Sequence, residues 1–347
     1  MSTERSSRRD FLRASLPGAA LLWTGGVAGS LATVEPVAAE SGAAAGRSRV
    51  VVARDEQLRG AGASPASSID SNRVLALLDR AMQALFGQEH PLAPVDAWRR
   101  LVHPGERVGL QVNTLGGRGI STNVQLVAAI CERLQQAGVK PADIVIWDRD
   151  TGELERAGFH LAMGGDRVQC FGTDRVGYEV ELSAYGSVGS LLSKILTQRC
   201  GALINLPVLK DHDGAGVTIA LKNMYGVIHN PNKYHPNGCN PYVADVNMLP
   251  EIRSRMRLTI CDATTAMYEG GPGYKPEHSW NANALLVSTD PVALDSTGWQ
   301  MIERKRAEKG WKTLEAEGRP PRYIATAADS EHLLGNNDPA RITVVEA

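Results

Sequence analysis

Residues 106–148, ERVGLQVNTLGGRGISTNVQLVAAICERLQQAGVKPADIVIWD, decide the fold. The first eight, ERVGLQVN, alternate and are rich in β-branched residues, which predicts a strand. TLGGRGISTN (114–123) is a glycine-rich turn. VQLVAAICERLQQAG (124–138) carries apolar residues at helical spacing and ends in glycine, with Ser121 or Thr122 placed to cap it. ADIVIWD (142–148) is a buried strand ending in a carboxylate. Strand, glycine loop, helix and strand make a βαβ unit. Such units join parallel strands with a right-handed crossover and place ligands at the carboxyl ends of the strands.

The same alternation runs outward on both sides. RSRVVVAR (47–54) predicts a strand, SNRVLALLDRAMQALFG (71–87) a helix and DAWRRLV (96–102) a short helix. Downstream, DRVQCFG (166–172) predicts a strand, LLSKILTQ (191–198) a helix and ALINLPVLK (202–210) one buried strand. GVTIALKNMYGVI (216–228) reads as a helix or a broken helix. MRLTICDA (256–263) and NALLVST (283–289) are strands. Residues 290–310 are a helix with Asp290 at its cap and Pro291 in its first turn, and ITVVEA closes the chain. The expected fold class is α/β, with a mostly parallel or mixed sheet covered by helices on both faces. Residues 48–347 are expected to form a single domain, with two lobes near 48–165 and 166–347 as the other arrangement.

Composition excludes some function classes. The 347 residues carry 22% charged and 43% hydrophobic side chains with a net charge of -1, so no basic excess points to nucleic acid. The N-terminal stretch has paired Arg8 and Arg9, then Phe11 and Leu12, a Gly/Ala-rich apolar run, and small residues at Val37-Ala38-Ala39. That order matches a twin-arginine export leader over 1–39, followed by a linker over 40–47. It implies the twin-arginine translocase as a transient partner and a periplasmic or extracytoplasmic destination for the folded chain. The five cysteines form no CxxC pair, so their spacing carries no iron–sulfur or structural zinc signature. Cys131, Cys170 and Cys261 fall on apolar faces and are expected to be buried.

The densest chemistry lies in KDHDGAGVTIALKNMYG (210–226) and HNPNKYHPNGC (229–239). Lys210, Asp211 and His212 follow an apolar strand, the usual site position in an α/β sheet. Gly214 and Gly216 read as opening a helix N-terminus that would favour an anion. Lys222 sits among Ile219, Ala220 and Leu221, where burial would lower its pKa and make it a base or an anion anchor. The plainer reading is a capped helix with one snorkelling lysine. His212, His229, His235 and Cys239 could bind a transition metal, or the histidines of the loop could simply meet water. Asp262, at a strand end, is a candidate base. Asn113, Gly116, Gly117 and Arg118 form a loop able to take an anionic group, with Asp211, Asn223 and Tyr225 as further substrate contacts. Asp290 reads as a helix cap, and the absence of GxSxG disfavours serine hydrolase chemistry.

These segments together, VGLQVNTLGGRGISTN, INLPVLKDHDGAGVTIALKNMYGVIHNPNKYH, YEGGPG and VSTDPVALDSTGW, resemble the domain-of-unknown-function family numbered 362 over about residues 47–345. Many of its members carry a ferredoxin-like segment or cysteine clusters. This chain has neither, so no iron–sulfur cluster is expected within it. LKDH and ALKNMYG also resemble, more faintly, the lactate racemase superfamily, whose enzymes use lysine, histidines and a nickel-bearing cofactor. The expectation is an exported metal-dependent enzyme acting on a small polar or anionic substrate by proton transfer or isomerisation at a hydroxy or carbonyl carbon. In it Lys210, His212, Lys222 and Asp262 are catalytic, and His212, His229, His235 and Cys239 hold the metal. The alternatives are a metal or electron carrier working with a redox partner, and a non-catalytic periplasmic binding protein.

Overall fold

The computed structural model describes residues 46–60, 62–64, 67–87 and 92–347. The expected leader, its cleavage site and the linker up to residue 45 lie outside them. In chain order the strands are β1 (Ser48–Arg54), β2 (Val108–Val112), β3 (Ile144–Trp147), β4 (Gln169–Cys170), β5 (Ser183–Tyr185), β6 (Val188–Ser190), β7 (Ala202–Leu206), β8 (Val208–His212), β9 (Gly216–Thr218), β10 (Met256–Met267), β11 (Ser279–Trp280), β12 (Ala284–Ser288) and β13 (Ile342–Glu346). All but the β5–β6 hairpin share one sheet, ordered β13-β1-β12-β10-β7-β2-β3-β4. The pairs β13/β1, β10/β7, β7/β2, β2/β3 and β3/β4 are parallel. Only β12 runs against its neighbours β1 and β10 along this path.

Both faces of the sheet are covered, which is why its strands read as unbroken apolar runs. Val51, Ala53, Ile204, Leu285 and Val287 point to one core with the helices Ser71–Phe86, Pro94–Arg99 and Val124–Gln136. Val52, Leu203 and Leu286 point to the other, with Lys194–Arg199, Tyr242–Asn247, Pro291–Glu308 and Tyr323–Ala327. Alternate residues of each strand therefore feed opposite layers. Ile204 and Leu286 are fully buried, and truncating either to alanine costs about 2–5 kcal/mol.

Local differences from the expected elements have local causes. Asn123, not Ser121 or Thr122, caps the helix Val124–Gln136, its side chain accepting from the Gln125 amide. Ser121 Oγ instead donates to the Gly117 carbonyl at 2.7 Å, and Thr122 Oγ1 donates to the Leu206 carbonyl at 2.7 Å. ALINLPVLK breaks into β7 and β8 at Pro207, whose nitrogen cannot donate to a ladder. GVTIALKNMYGVI is neither one helix nor one broken helix: β9 pairs back antiparallel on β8, and only then comes the helical turn Ala220–Asn223. Gly216 makes that hairpin with φ +80°, and a Cβ there would meet the Arg319 carbonyl at 2.5 Å. Asp290 caps the long C-terminal helix as expected, accepting from the Val292 and Ala293 amides at 2.9 Å. All five cysteines are buried and unpaired with one another.

Candidate functional site

The site is built on β8, which branches off the far half of β10 and folds back through β9. Period-two geometry puts Lys210 and His212 on the same face of β8. Lys210 is fully buried. Its ammonium donates to Asn113 Oδ1 at 2.9 Å and to the Pro272 carbonyl at 3.2 Å. The Asn113 amide passes the chain on to Asn223 Oδ1 at 2.8 Å, and Asn223 donates to Asn205 Oδ1 at 2.8 Å. This amide relay orients an ammonium without neutralising it. Burial pulls Lys210 down to about 8, Asp148 opposes the fall and Lys222 adds to it.

His212 Nδ1 accepts from the Gly214 and Ala215 amides at 3.0 and 3.3 Å. The ring proton therefore sits on Nε2, and burial together with Lys222 and His235 holds the ring neutral, its pKa down to about 2. His235 stacks on it at 5.6 Å between ring centroids. His235 Nδ1 donates to the Pro231 carbonyl at 3.2 Å, which leaves Nε2 to accept from Lys222 Nζ at 3.2 Å. Lys222 also lies over the Tyr225 ring at 4.7 Å. It is 6% exposed, and burial brings it to about 8. The Tyr225 hydroxyl donates to the Tyr234 carbonyl at 2.6 Å, so its contribution here is the ring face. Burial pushes the neighbouring Cys239 thiol up, keeping it protonated.

On the opposite face of β8, Asp211 is fully buried and accepts from the Gly271 amide at 2.9 Å. Arg319 meets its other oxygen at 3.1 Å and also pairs with Glu269 and Glu317. Burial raises Asp211 to about 6 against the pull of Arg319. Asp211, Asp213 and Glu269 form the one group of three or more potential ligands, among the described residues, whose ligand atoms lie within 4.8 Å of one another. This acidic group could hold a metal ion. Arg319 already bridges two of its members, so an ion would have to displace a guanidinium.

The four residues expected to bind a transition metal are not gathered as a donor set. His229 is exposed and packs edge-on against Tyr178. His212 is buried with its Nδ1 taken by two amides and its proton on Nε2, and the lone pair of His235 is taken by Lys222. Asp262 is also occupied: it accepts from the Asn123 amide at 2.7 Å and the Thr264 amide at 2.9 Å. The helical turn bearing Lys222 offers no open anion position, because Asp295 takes its Ala220 and Leu221 amides at 2.7 and 3.2 Å. The two glycine loops pack on each other. A Cβ at Gly116 would meet Ile120 at 2.3 Å, and one at Gly119 would meet the Tyr274 ring at 2.3 Å. Gly117 turns the loop with φ +76°, while Arg118 is exposed and reaches toward Gly158. A cavity of about 540 Å³ lies elsewhere, between the helix Pro291–Glu308 and β13, and none of these residues lines it.

The family model described as Domain of unknown function (DUF362) matches residues 108–300. The chain belongs to this family. The matched stretch contains Asn113, Lys210, His212, Lys222 and His235, whereas Arg319 lies beyond it. A thylakoid-associated protein of Synechocystis sp. is 27% identical over 214 residues, covering 59% of this chain. The chain spans 65% of that relative's length. Among solved structures, the lactate racemase apoprotein of Thermoanaerobacterium thermosaccharolyticum is similar at 14% identity and a TM-score of 0.38, over 64% of this chain and 54% of that one. A Thermotoga maritima protein is similar at 8% identity and a TM-score of 0.37, over 69% and 59%.

Two residues at the site, Thr218 and Asn205, carried no sequence signal that singled them out, and a third, Arg319, carried a weak one. Thr218 is one polar residue in a short strand, and Asn205 lies inside the apolar run ALINLPVL. Arg319 stands in EGRPPR (317–322), where two prolines between arginines mark a rigid strap that could have been flagged.

Proposed function

We propose that this chain is an enzyme that binds a small organic anion and moves a proton at a carbon beside its carbonyl or carboxyl group. Lys222 and His235 are the acid–base pair, and Lys210 is the anion holder. One observation carries the reading. Two lysine ammoniums are buried, and among the described residues neither has a carboxylate hydrogen-bonded to it. Uncompensated buried cations are costly and attract an anion. A lysine near 8 is about one-tenth neutral at pH 7, so its amine can take a proton, and His235 Nε2 lies at 3.2 Å to share it. His212, held neutral, can donate from Nε2 without adding a further charge. The His235 lone pair is taken by Lys222, and Arg319 already pairs with Asp211 and Glu269, which favours proton transfer by the lysine and histidine side chains themselves. The Arg8-Arg9 leader supports a further part of the proposal, that the protein works outside the cytoplasm.

The test is to incubate the protein with 2-hydroxy and 2-oxo acids in D2O and follow deuterium at carbon by NMR. Wild type should exchange at least one acid, and Lys222→Ala should be slower by about 100-fold or more. An acid that binds wild type without any exchange would leave a binding protein and sink the catalytic assignment.

A further inference from the structure

Thr218 on β9 stands directly opposite Lys210 in the antiparallel pair, so both side chains lie on one face. It is 5% exposed, and its hydroxyl has no hydrogen-bond partner among the described residues. A buried hydroxyl left unmatched is a liability that proteins keep when something else completes it. His212 lies on the same face two residues along. Its Nδ1 is taken by two amides, and its protonated Nε2 meets no partner among the described residues. Lys210 has three N–H groups and gives two of them to Asn113 and Pro272. One face of the β8–β9 hairpin thus presents three groups able to donate, an ammonium, an imidazole Nε2–H and a hydroxyl, and no carboxylate.

We infer that Thr218 is a ligand-binding residue and that, with His212 and Lys210, it receives the carboxylate of a small organic acid. This rests on reading the site as an anion site. A carboxylate supplies two oxygens with about four acceptor positions, which suits three donors carried on one hairpin face. A phosphate site commonly adds a fork of guanidinium groups or a cradle of backbone amides to its lysine. The glycine loop that could have been such a cradle is packed against Pro272 and Tyr274 instead.

The experiment is calorimetric titration of the full-length protein with sodium oxalate, and separately with inorganic phosphate, at pH 7. Wild type, Thr218→Val and Thr218→Ser are compared, with melting curves for each. Wild type should bind oxalate more tightly than phosphate. T218V should bind oxalate about tenfold more weakly, and T218S within about threefold of wild type. T218V should melt no lower than wild type, because the hydroxyl removed has no hydrogen-bond partner among the described residues; a residue of merely structural importance would show the reverse pattern. Equal oxalate affinity in wild type and T218V would overturn the role of Thr218 while leaving the Lys222 reading intact. A preference for phosphate would overturn the carboxylate assignment. Binding of neither ion would overturn the anion site itself, and this inference with it.

Discussion

Replacing Lys222 by Met should stabilise the protein at pH 7, although it removes a residue at the centre of the site. Burial takes this lysine from its ordinary 10.5 to about 8. Keeping it charged at pH 7 therefore costs the folded state about 3 kcal/mol. Methionine has nearly the same length and carries no charge, so that penalty disappears. Against it, His235 Nε2 loses its donor, worth about 1 kcal/mol. The net expectation is a gain of about 2 kcal/mol at pH 7. The sign with pH follows from linkage. Below about 8 both folded and unfolded chains hold the proton, so the gap between the two proteins is constant. Between about 8 and 10.5 the unfolded wild type binds the proton and the folded one does not, so wild-type stability rises by about 1.4 kcal/mol per pH unit relative to K222M. The advantage of K222M should fade by about pH 9.5. Urea unfolding of both proteins at half-unit steps from pH 7 to 9.5 measures the difference. The buried thiols of Cys131 and Cys200, pushed up by desolvation, titrate alike in both proteins and cancel, whereas Cys239 feels Lys222 and rises further in K222M. A K222M protein that is less stable at pH 7, or a gap that does not change with pH, would refute a buried lysine with a depressed pKa. It would return Lys222 to the role of a snorkelling surface residue.

Two further outcomes follow from the same contacts. Asp295→Ala should destabilise by about 2–4 kcal/mol in urea unfolding, because the Ala220 and Leu221 amides lose their buried acceptor; a cost under about 0.5 kcal/mol would mean the turn bearing Lys222 does not depend on it. Arg319→Ala should cost about 3 kcal/mol by leaving Asp211 buried without its cation, and the released Asp211, Asp213 and Glu269 group should then gain melting temperature in millimolar Mn2+ or Ca2+ where wild type does not; an equal response in wild type would show that Arg319 does not occupy the ion's place.

The architecture was legible because the apolar runs are long and the glycine and proline breaks fall between them. VVVA, VGLQV, IVIW and ALLVS each became a strand of the sheet, and the periodic stretches 71–87 and 124–138 became helices. What was not legible depended on distant partners. Gly214 and Gly216 suit a hairpin and a helix entry equally, and only the return of β9 onto β8 decides between them. The residue closing the Lys222 turn is Asp295, more than seventy positions later. The cluster of Lys210, His212, Lys222 and His235 could be guessed from density of type alone. The exposure of His229 could not, since it follows from how the 229–239 loop folds. The amide relay behind Lys210, Asn113 to Asn223 to Asn205, comes from three separate segments joined by the sheet.

The most direct measurement is the titration of the lysines themselves. Reductive ¹³C-methylation, or selective ¹³Cε labelling of lysine where the buried amines resist reagent, would let NMR follow each ammonium from pH 6 to 11. Two lysine resonances should titrate near 8, one vanishing in Lys222→Met and the other in Lys210→Met. With Lys222 gone, the Lys210 midpoint should move up, because Lys222 is one of the charges that depress it. If every lysine titrates near 10.5, the site holds no poised amine, and the proton-transfer chemistry proposed for it has no base.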